Sequence, residues 1–340
     1  MRPEIALHCP SDRAALEYRL MTVFGSSDLA IDIGTATTRV AGGRSGLCLS
    51  PSAFQQVRAL NCGVIVDLQA ATDVLRPMMQ QRRGLGMNRL RVLACAPSDV
   101  SALERYSVKT CILQAGASSV IVVPEPLAAA VGSGIDIGSR YAKFLVDFGE
   151  GVTDCAVIRG GQIVASRAER VGCGDLRRVV LRFARSSARM VITEAEAERV
   201  LRAVGLRRHG GEVCRGTING RPAEVVLSVA GIYENLRPVV GRMLAPIRGL
   251  LRDVPAVIGA EVIEDGIFLT GGGALLPGMR DAVAAESVID TRVVNDPLGA
   301  VIRGAWTMLP LAATLDLWKT WGGHQPLGGQ RSGSQLVPVE

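Results

Sequence analysis

Lysine is nearly absent from this 340-residue sequence. Only Lys109, Lys143 and Lys319 occur, so arginine carries the net charge of +6. A basic balance is compatible with an anionic membrane face or with nucleic acid. The arginines are spread along the chain, however. Aromatic residues, at 4%, are too few to interleave with them as a single-strand-binding groove requires. Specific nucleic-acid binding is therefore not expected. No run approaches the roughly 18 apolar residues of a membrane-spanning helix. The first residues carry Glu4, His8 and Asp12 and lack the apolar centre of a signal peptide. The expectation is a cytoplasmic protein, peripheral to the membrane at most. The eight cysteines, Cys9, Cys48, Cys62, Cys95, Cys111, Cys155, Cys173 and Cys214, include no C-x-x-C pair, so zinc and dithiol chemistry are not indicated. His8, His209 and His324 stand outside every motif below, which argues against a histidine general base. Neither a G-x-x-x-x-G-K-[ST] loop nor a G-x-G-x-x-G after the first strand is present, which removes the P-loop and Rossmann folds.

What the sequence does contain is one pattern twice. Leu29-Ala30-Ile31-Asp32-Ile33-Gly34-Thr35-Ala36-Thr37-Thr38 returns as Leu145-Val146-Asp147-Phe148-Gly149-Glu150-Gly151-Val152-Thr153. Each copy reads as an apolar strand ending at an aspartate, a glycine-bearing tip, and a threonine that opens a second strand. Two unrelated tight turns would share D-x-G by chance. The matched aspartate, glycine and threonine offsets favour a repeat. The residue types suit a phosphate grip. Glycine lets backbone amides approach phosphate oxygens, threonine adds hydroxyl donors, and aspartates at the strand ends suit Mg²⁺, which prefers oxygen ligands and keeps several waters.

A third glycine cluster follows a buried strand at Gly266-Ile267-Phe268-Leu269-Thr270-Gly271-Gly272-Gly273. Three consecutive glycines forfeit backbone entropy, which is sensible where the chain must pass close to adenine and ribose. Together the three segments resemble the phosphate-1, phosphate-2 and adenosine motifs of the actin, Hsp70 and sugar-kinase superfamily. Five further stretches look like the bacterial actin-like MreB/Mbl family: Gly63-Val64-Ile65-Val66-Asp67, Arg91 to Ser98, Leu113 to Ala117, Glu125 to Gly132, and Asp296 to Ala300.

The resemblance, running from about residue 28 to about residue 309, implies an α/β actin-like ATPase fold, two ribonuclease-H-like domains around a nucleotide cleft. It implies ATP and Mg²⁺ as cofactors. Gly34, Thr35, Thr37, Gly149, Glu150, Gly151, Val152, Thr153, Gly271, Gly272 and Gly273 would bind the nucleotide, and Asp32 and Asp147 would hold the metal. Glu125 would orient the attacking water, with Asp32 and Asp147 completing the catalytic set. Read from the residues alone, the alternative for Glu125 is a solvated carboxylate at a helix start. Asp154 either assists or is an exposed strand residue. The implied function is a slowly hydrolysing, filament-forming cytoskeletal ATPase of cell-shape and wall morphogenesis. A non-polymerising nucleotide-binding adaptor, docked to a membrane or division partner, is the alternative.

Two departures matter. MreB proteins usually read D-x-G-G-G-T-T at phosphate-2, whereas here Glu150 and Val152 intervene. Eukaryotic actins carry an acid and a valine at these same places, D-S-G-D-G-V-T, which implies competence for binding. The second departure is a missing piece. Only about ten residues, 53–62, separate Pro51-Ser52 from Gly63, a loop length where the family has the small subdomain IB that contributes to filament contacts. The expected layout is an N-terminal extension over 1–27 and domain I over 28–139 plus 297–321. Domain II would span 140–296 with a small subdomain at about 176–229, and a disordered tail 322–340. Helices are expected over 100–116, 193–205 and 230–252, with strands around Asn219-Gly220. In the extension, Leu16, Leu20, Val23 and Phe24 share one helical face, a candidate membrane or partner anchor.

Overall fold

A computed structural model of the chain describes residues 27–42, 47–54, 57–81 and 90–314. The extension with its Leu16–Leu20–Val23–Phe24 face and the tail 322–340 lie outside the described residues.

The first half opens with β1 (Ser27–Ile33), β2 (Thr37–Gly42) and β3 (Leu47–Pro51). Two ribbons of two-residue strands follow, β4 (Ala53–Phe54) with β5 (Val57–Arg58) and β6 (Leu60–Asn61) with β7 (Val64–Ile65). Then come α1 (Leu68–Gln80), β8 (Leu90–Ala96), α2 (Ala102–Gln114), β9 (Ser119–Pro124) and α3 (Glu125–Gly132). The sheet order is β3-β2-β1-β8-β9. β1 is antiparallel to β2 and parallel to β8.

The second half repeats that plan. β10 (Lys143–Phe148), β11 (Thr153–Arg159) and β12 (Gln162–Glu169) precede α4 (Cys173–Ala188), α5 (Glu194–Val204) and the hairpin β13 (Gly211–Ile218)–β14 (Arg221–Ser228). α6 (Val229–Asp253), α7 (Ala256–Asp265), β15 (Ile267–Thr270), a 3₁₀ turn at Gly272–Leu275, α8 (Met279–Ser287) and β16 (Thr291–Val293) complete it, and α9 (Ala300–Thr314) returns to pack on α3 and on β1, β2 and β8 of the first half. The sheet order of the second half, β12-β11-β10-β15-β16, copies the first. Again one central strand has an antiparallel partner on one side and a parallel partner on the other. The repeat read in the sequence is thus a repeat of the fold, and the architecture is α/β, as expected.

Between their terminal charged residues the central strands β1 and β10 are apolar, because helices cover both faces of each sheet. β10 and β11 are buried along almost their whole length. A shared core holds the halves together. Leu93, Ile121 and Val123 from the first sheet and Leu145, Ala156 and Ile158 from the second pack around α3 and α9. These two helices touch backbone to backbone. A Cβ on Gly132 would lie 1.9 Å from the Ala300 carbonyl oxygen, and one on Gly304 1.7 Å from that of Ala128. Only glycine fits at both places.

Local signals account for the helix ends. Ser101 caps α2, accepting from the Glu104 N–H while Glu104 accepts from the Ser101 N–H, a capping box worth about 1 kcal/mol. Thr193 caps α5 with its hydroxyl alone, accepting from the Glu196 N–H at 3.1 Å. Asn219 and Gly220 both adopt the left-handed conformation at the β13–β14 turn.

Candidate functional site

The two hairpin tips face one another, with the glycine turn after β15 alongside. Between them lies a cavity of about 400 Å³. Asp32, Gly34, Thr35 and Thr37 line it from the first hairpin, and Asp147, Gly149, Glu150, Gly151 and Val152 from the second. Gly271, Gly272 and Glu125 also line it. Two residues expected there do not. Thr153 begins β11 with its side chain turned inward, and its fully buried hydroxyl donates to the Val171 carbonyl at 2.9 Å. Gly273 sits behind the turn, where a Cβ would meet Phe148 at 2.6 Å and the Cys173 sulfur at 3.0 Å.

The tips match in detail. A Cβ on Gly34 would approach the Thr37 carbonyl oxygen to 2.9 Å, and one on Gly149 the Val152 carbonyl oxygen to the same 2.9 Å. Each glycine is therefore required by the close return of its own hairpin. Gly63, in the β6–β7 turn, joins the tips. Its N–H donates to Thr35 Oγ1 at 2.8 Å, and a Cβ there would press on Val152. Gly271, at φ +80°, lets the Asp147 carboxylate approach, since a Cβ would lie 2.5 Å from Asp147 Oδ1.

Charge distinguishes the two tips. Asp32 faces Arg39 in register across β1–β2, and Arg39 Nη1 lies 2.7 Å from Asp32 Oδ2. Asp147, at the same place in the second hairpin, faces Asp154. Burial pushes Asp147 up from 3.8 to about 7, the charge of Asp32 adds to this, and Arg39 opposes it. Burial likewise raises Asp154 to about 7, with the charges of Asp147 and Asp99 adding and the bonds from Ser98 opposing. Burial also raises Asp32, against the pull of Arg39. Glu125, first residue of α3, is half-buried at the cavity wall. It is held well above the usual carboxylate range by burial first, then by Asp32, Asp147, Asp154 and Asp99. Neither bland alternative fits: Glu125 is not a freely solvated helix-start residue, and Asp154 is not exposed but 1% accessible.

This crowding of carboxylates suits a cation. Asp147 Oδ1 is buried with no hydrogen-bond partner, an arrangement that costs free energy unless a positive group meets it. Among the described residues no three His, Cys, Asp or Glu side chains gather closely enough to hold a metal unaided. An ion held here takes most of its ligands from elsewhere, as Mg²⁺ does from water and phosphate.

Sequence reasoning missed several lining residues. Arg39 was legible in principle, two residues beyond Thr37 on the same face of β2. Glu198, Leu201 and Arg202 from α5, with Leu298 and Val301 near α9, wall the far side of the cavity. They come from segments whose approach only the tertiary fold decides.

The model of MreB/Mbl proteins matches residues 47–316, most of the sequence. This chain belongs to the MreB/Mbl family. Among MreB relatives, the cell shape-determining protein MreB of Escherichia coli (strain K12) is 28% identical over 326 residues, covering 84% of this chain and 94% of the relative. Cell shape-determining protein Mbl of Bacillus subtilis (strain 168) is 27% identical over 291 residues, covering 84% and 86%. In three dimensions the chain is similar to MreB5 of Spiroplasma citri bound to ADP. The TM-score is 0.78 at 25% identity, over 86% of this chain and 98% of that one. The actin-like fold of MreB proteins is therefore the fold of this chain.

Proposed function

We propose that this chain is an MreB-like actin homologue that binds ATP with Mg²⁺ between its two halves and acts in cell-shape or cell-wall morphogenesis. One observation carries the reading. Two hairpin tips with the same internal geometry, each ending a central strand at an aspartate, line a single cavity of about 400 Å³. The solved MreB5 neighbour is bound to ADP, and the curated relatives are cell shape-determining proteins.

In this reading the glycines of both tips bring amides toward phosphate oxygens, and Thr35 and Thr37 add hydroxyls. Arg39, already turned toward Asp32, supplies positive charge on the first tip. Asp147 and Asp32 are the residues that would hold Mg²⁺, directly or through water. Bound there, the ion would neutralise charge that develops on the phosphates. Glu125, at the cavity wall, orients the attacking water. Leu201, Leu298 and Val301 offer apolar surface for the base.

One feature favours a second reading, the adaptor that binds nucleotide without forming filaments. Between β3 and α1 the described residues hold only the two-residue strands β4 to β7, where the family resemblance implies a subdomain contributing to filament contacts. Nucleotide-dependent sedimentation with phosphate release measured in parallel separates the two. Pelleting that requires ATP supports the cytoskeletal protein. Binding without pelleting at any nucleotide supports the adaptor. Leu16, Leu20, Val23 and Phe24, which would share one face of a helix, would add a weak and reversible membrane or partner anchor to either reading.

A further inference from the structure

Glu150 puts an acid on the loop that the proposed function brings closest to phosphate. Left free, it would repel a polyphosphate, yet its carboxylate is held by an arginine. Arg177, on the second turn of α4, forks onto it. Nη2 bonds Glu150 Oε1 and Nη1 lies 3.2 Å from Oε2. The same guanidinium reaches α5, with Nε 2.6 Å from Glu194 Oε2 and Nη1 3.2 Å from Glu198 Oε2. Arg177 is well buried for an arginine, at 15% accessibility, and its planar fork suits bidentate pairing with a carboxylate.

The start of α4 is shaped to receive Glu150. Cys173 N–H donates to the Gly149 carbonyl at 3.0 Å and Gly174 N–H to the Glu150 carbonyl at 2.9 Å, fixing the loop on the first turn. A Cβ on Gly174 would lie 2.7 Å from Glu150 Oε1. Glycine there leaves room for the carboxylate to cross the turn toward Arg177. The first turn of a helix also favours a negative charge.

We propose that Arg177 is a positioning residue for nucleotide binding, holding the Glu150 carboxylate back over the start of α4 and cancelling its charge so that an acid-bearing loop accepts a polyphosphate. The proposal rests on the nucleotide-binding reading above. Because Glu198 lines the cavity and Glu194 begins α5, the same guanidinium also ties the phosphate loop to the small helical unit beside the cleft.

The test is a titration of the full chain with a fluorescent ATP analogue and Mg²⁺, comparing wild type, Arg177→Gln, and Arg177→Gln combined with Glu150→Gly. Freed from its partner, Glu150 faces the phosphates, and Arg177→Gln is expected to weaken binding about tenfold or more, an effect reduced at high salt. The double variant is expected to recover most of that loss, because the repelling charge has gone. A residue that merely staples α4 to α5 would leave both variants equally weak, and that result overturns the proposal, as does unchanged affinity of Arg177→Gln. Should Arg177→Gln fail to fold, Gly174→Ala displaces Glu150 while leaving Arg177 its α5 partners. The expectation is the same loss with the same rescue by Glu150→Gly, and no loss, or no rescue, counts against the proposal. Wild type that binds no nucleotide rejects the nucleotide reading and this proposal together. Wild type that binds, with an unaffected Arg177→Gln, rejects this proposal alone.

Discussion

Asp147 and Asp154 stand directly opposite one another across the β10–β11 ladder, two carboxylates in the register positions that Asp32 and Arg39 fill across β1–β2. Like charges so placed destabilise a sheet. Asp154 is turned to the other half, where Ser98, in the loop after β8, donates its N–H at 2.6 Å and its hydroxyl at 2.5 Å. The pair therefore bridges the two halves while leaving excess negative charge beside the cavity.

That charge predicts a pH dependence. Asp147 and Asp154 are raised from 3.8 to about 7 in the folded chain. The folded state thus binds more protons than the unfolded state between about pH 4 and pH 7, so stability falls as pH rises through that window. Without nucleotide or metal, the melting temperature is expected to be higher at pH 6 than at pH 8. Asp154→Asn keeps partners for both Ser98 donor groups, because the hydroxyl can reverse its role, and it should flatten the slope. An Asp154→Asn slope identical to wild type would show that this pair does not govern the dependence.

Glu125 supports a kinetic prediction. Glu125→Ala should lower phosphate release while changing ATP affinity little, since a group acting on the attacking water affects turnover and not ground-state binding. Parallel measurement of release and affinity checks this. A large loss of affinity with turnover per bound nucleotide intact would assign Glu125 to binding.

The α3–α9 seam positions Glu125 from behind. Gly304→Ala would set a methyl 1.7 Å from the Ala128 carbonyl oxygen. Overpacking of this kind is expected to cost about 1–3 kcal/mol, read as a lowered denaturation midpoint. An unchanged midpoint would mean that α3 and α9 separate without cost and that their close contact does not hold the two halves together.

Much of this was legible from sequence because the informative residues are local. Asp32, Gly34, Asp147 and Gly149 repeat at fixed offsets, and Asn219-Gly220 marks its turn because both residues tolerate the left-handed conformation it needs. Contacts between distant segments were not legible. Arg177 reaching Glu150 and Ser98 reaching Asp154 join residues 27 and 56 positions apart. Thr153 shows the converse error. It matches the motif by position, yet strand alternation turns its hydroxyl into the core.

The N-terminal segment gives a prediction independent of the fold. If the face of Leu16, Leu20, Val23 and Phe24 is an anchor, the full chain should float with anionic liposomes more than a chain starting at Ser27. Arg13 and Arg19 contribute roughly 1 kcal/mol each near a charged surface, offset by Asp12 and Glu17. Equal flotation of the two would rule the anchor out.

Nucleotide-dependent thermal stability tests the cleft most directly. ATP with Mg²⁺ at a hundredfold excess over its dissociation constant should stabilise the folded chain by about 2.7 kcal/mol, seen as a raised melting temperature. Asp32→Ala and Asp147→Ala should each shrink that shift by removing a metal-directed carboxylate. A well-folded chain whose melting temperature responds to no nucleotide, with or without Mg²⁺, would contradict the assignment of the cavity between the two hairpins as a nucleotide site.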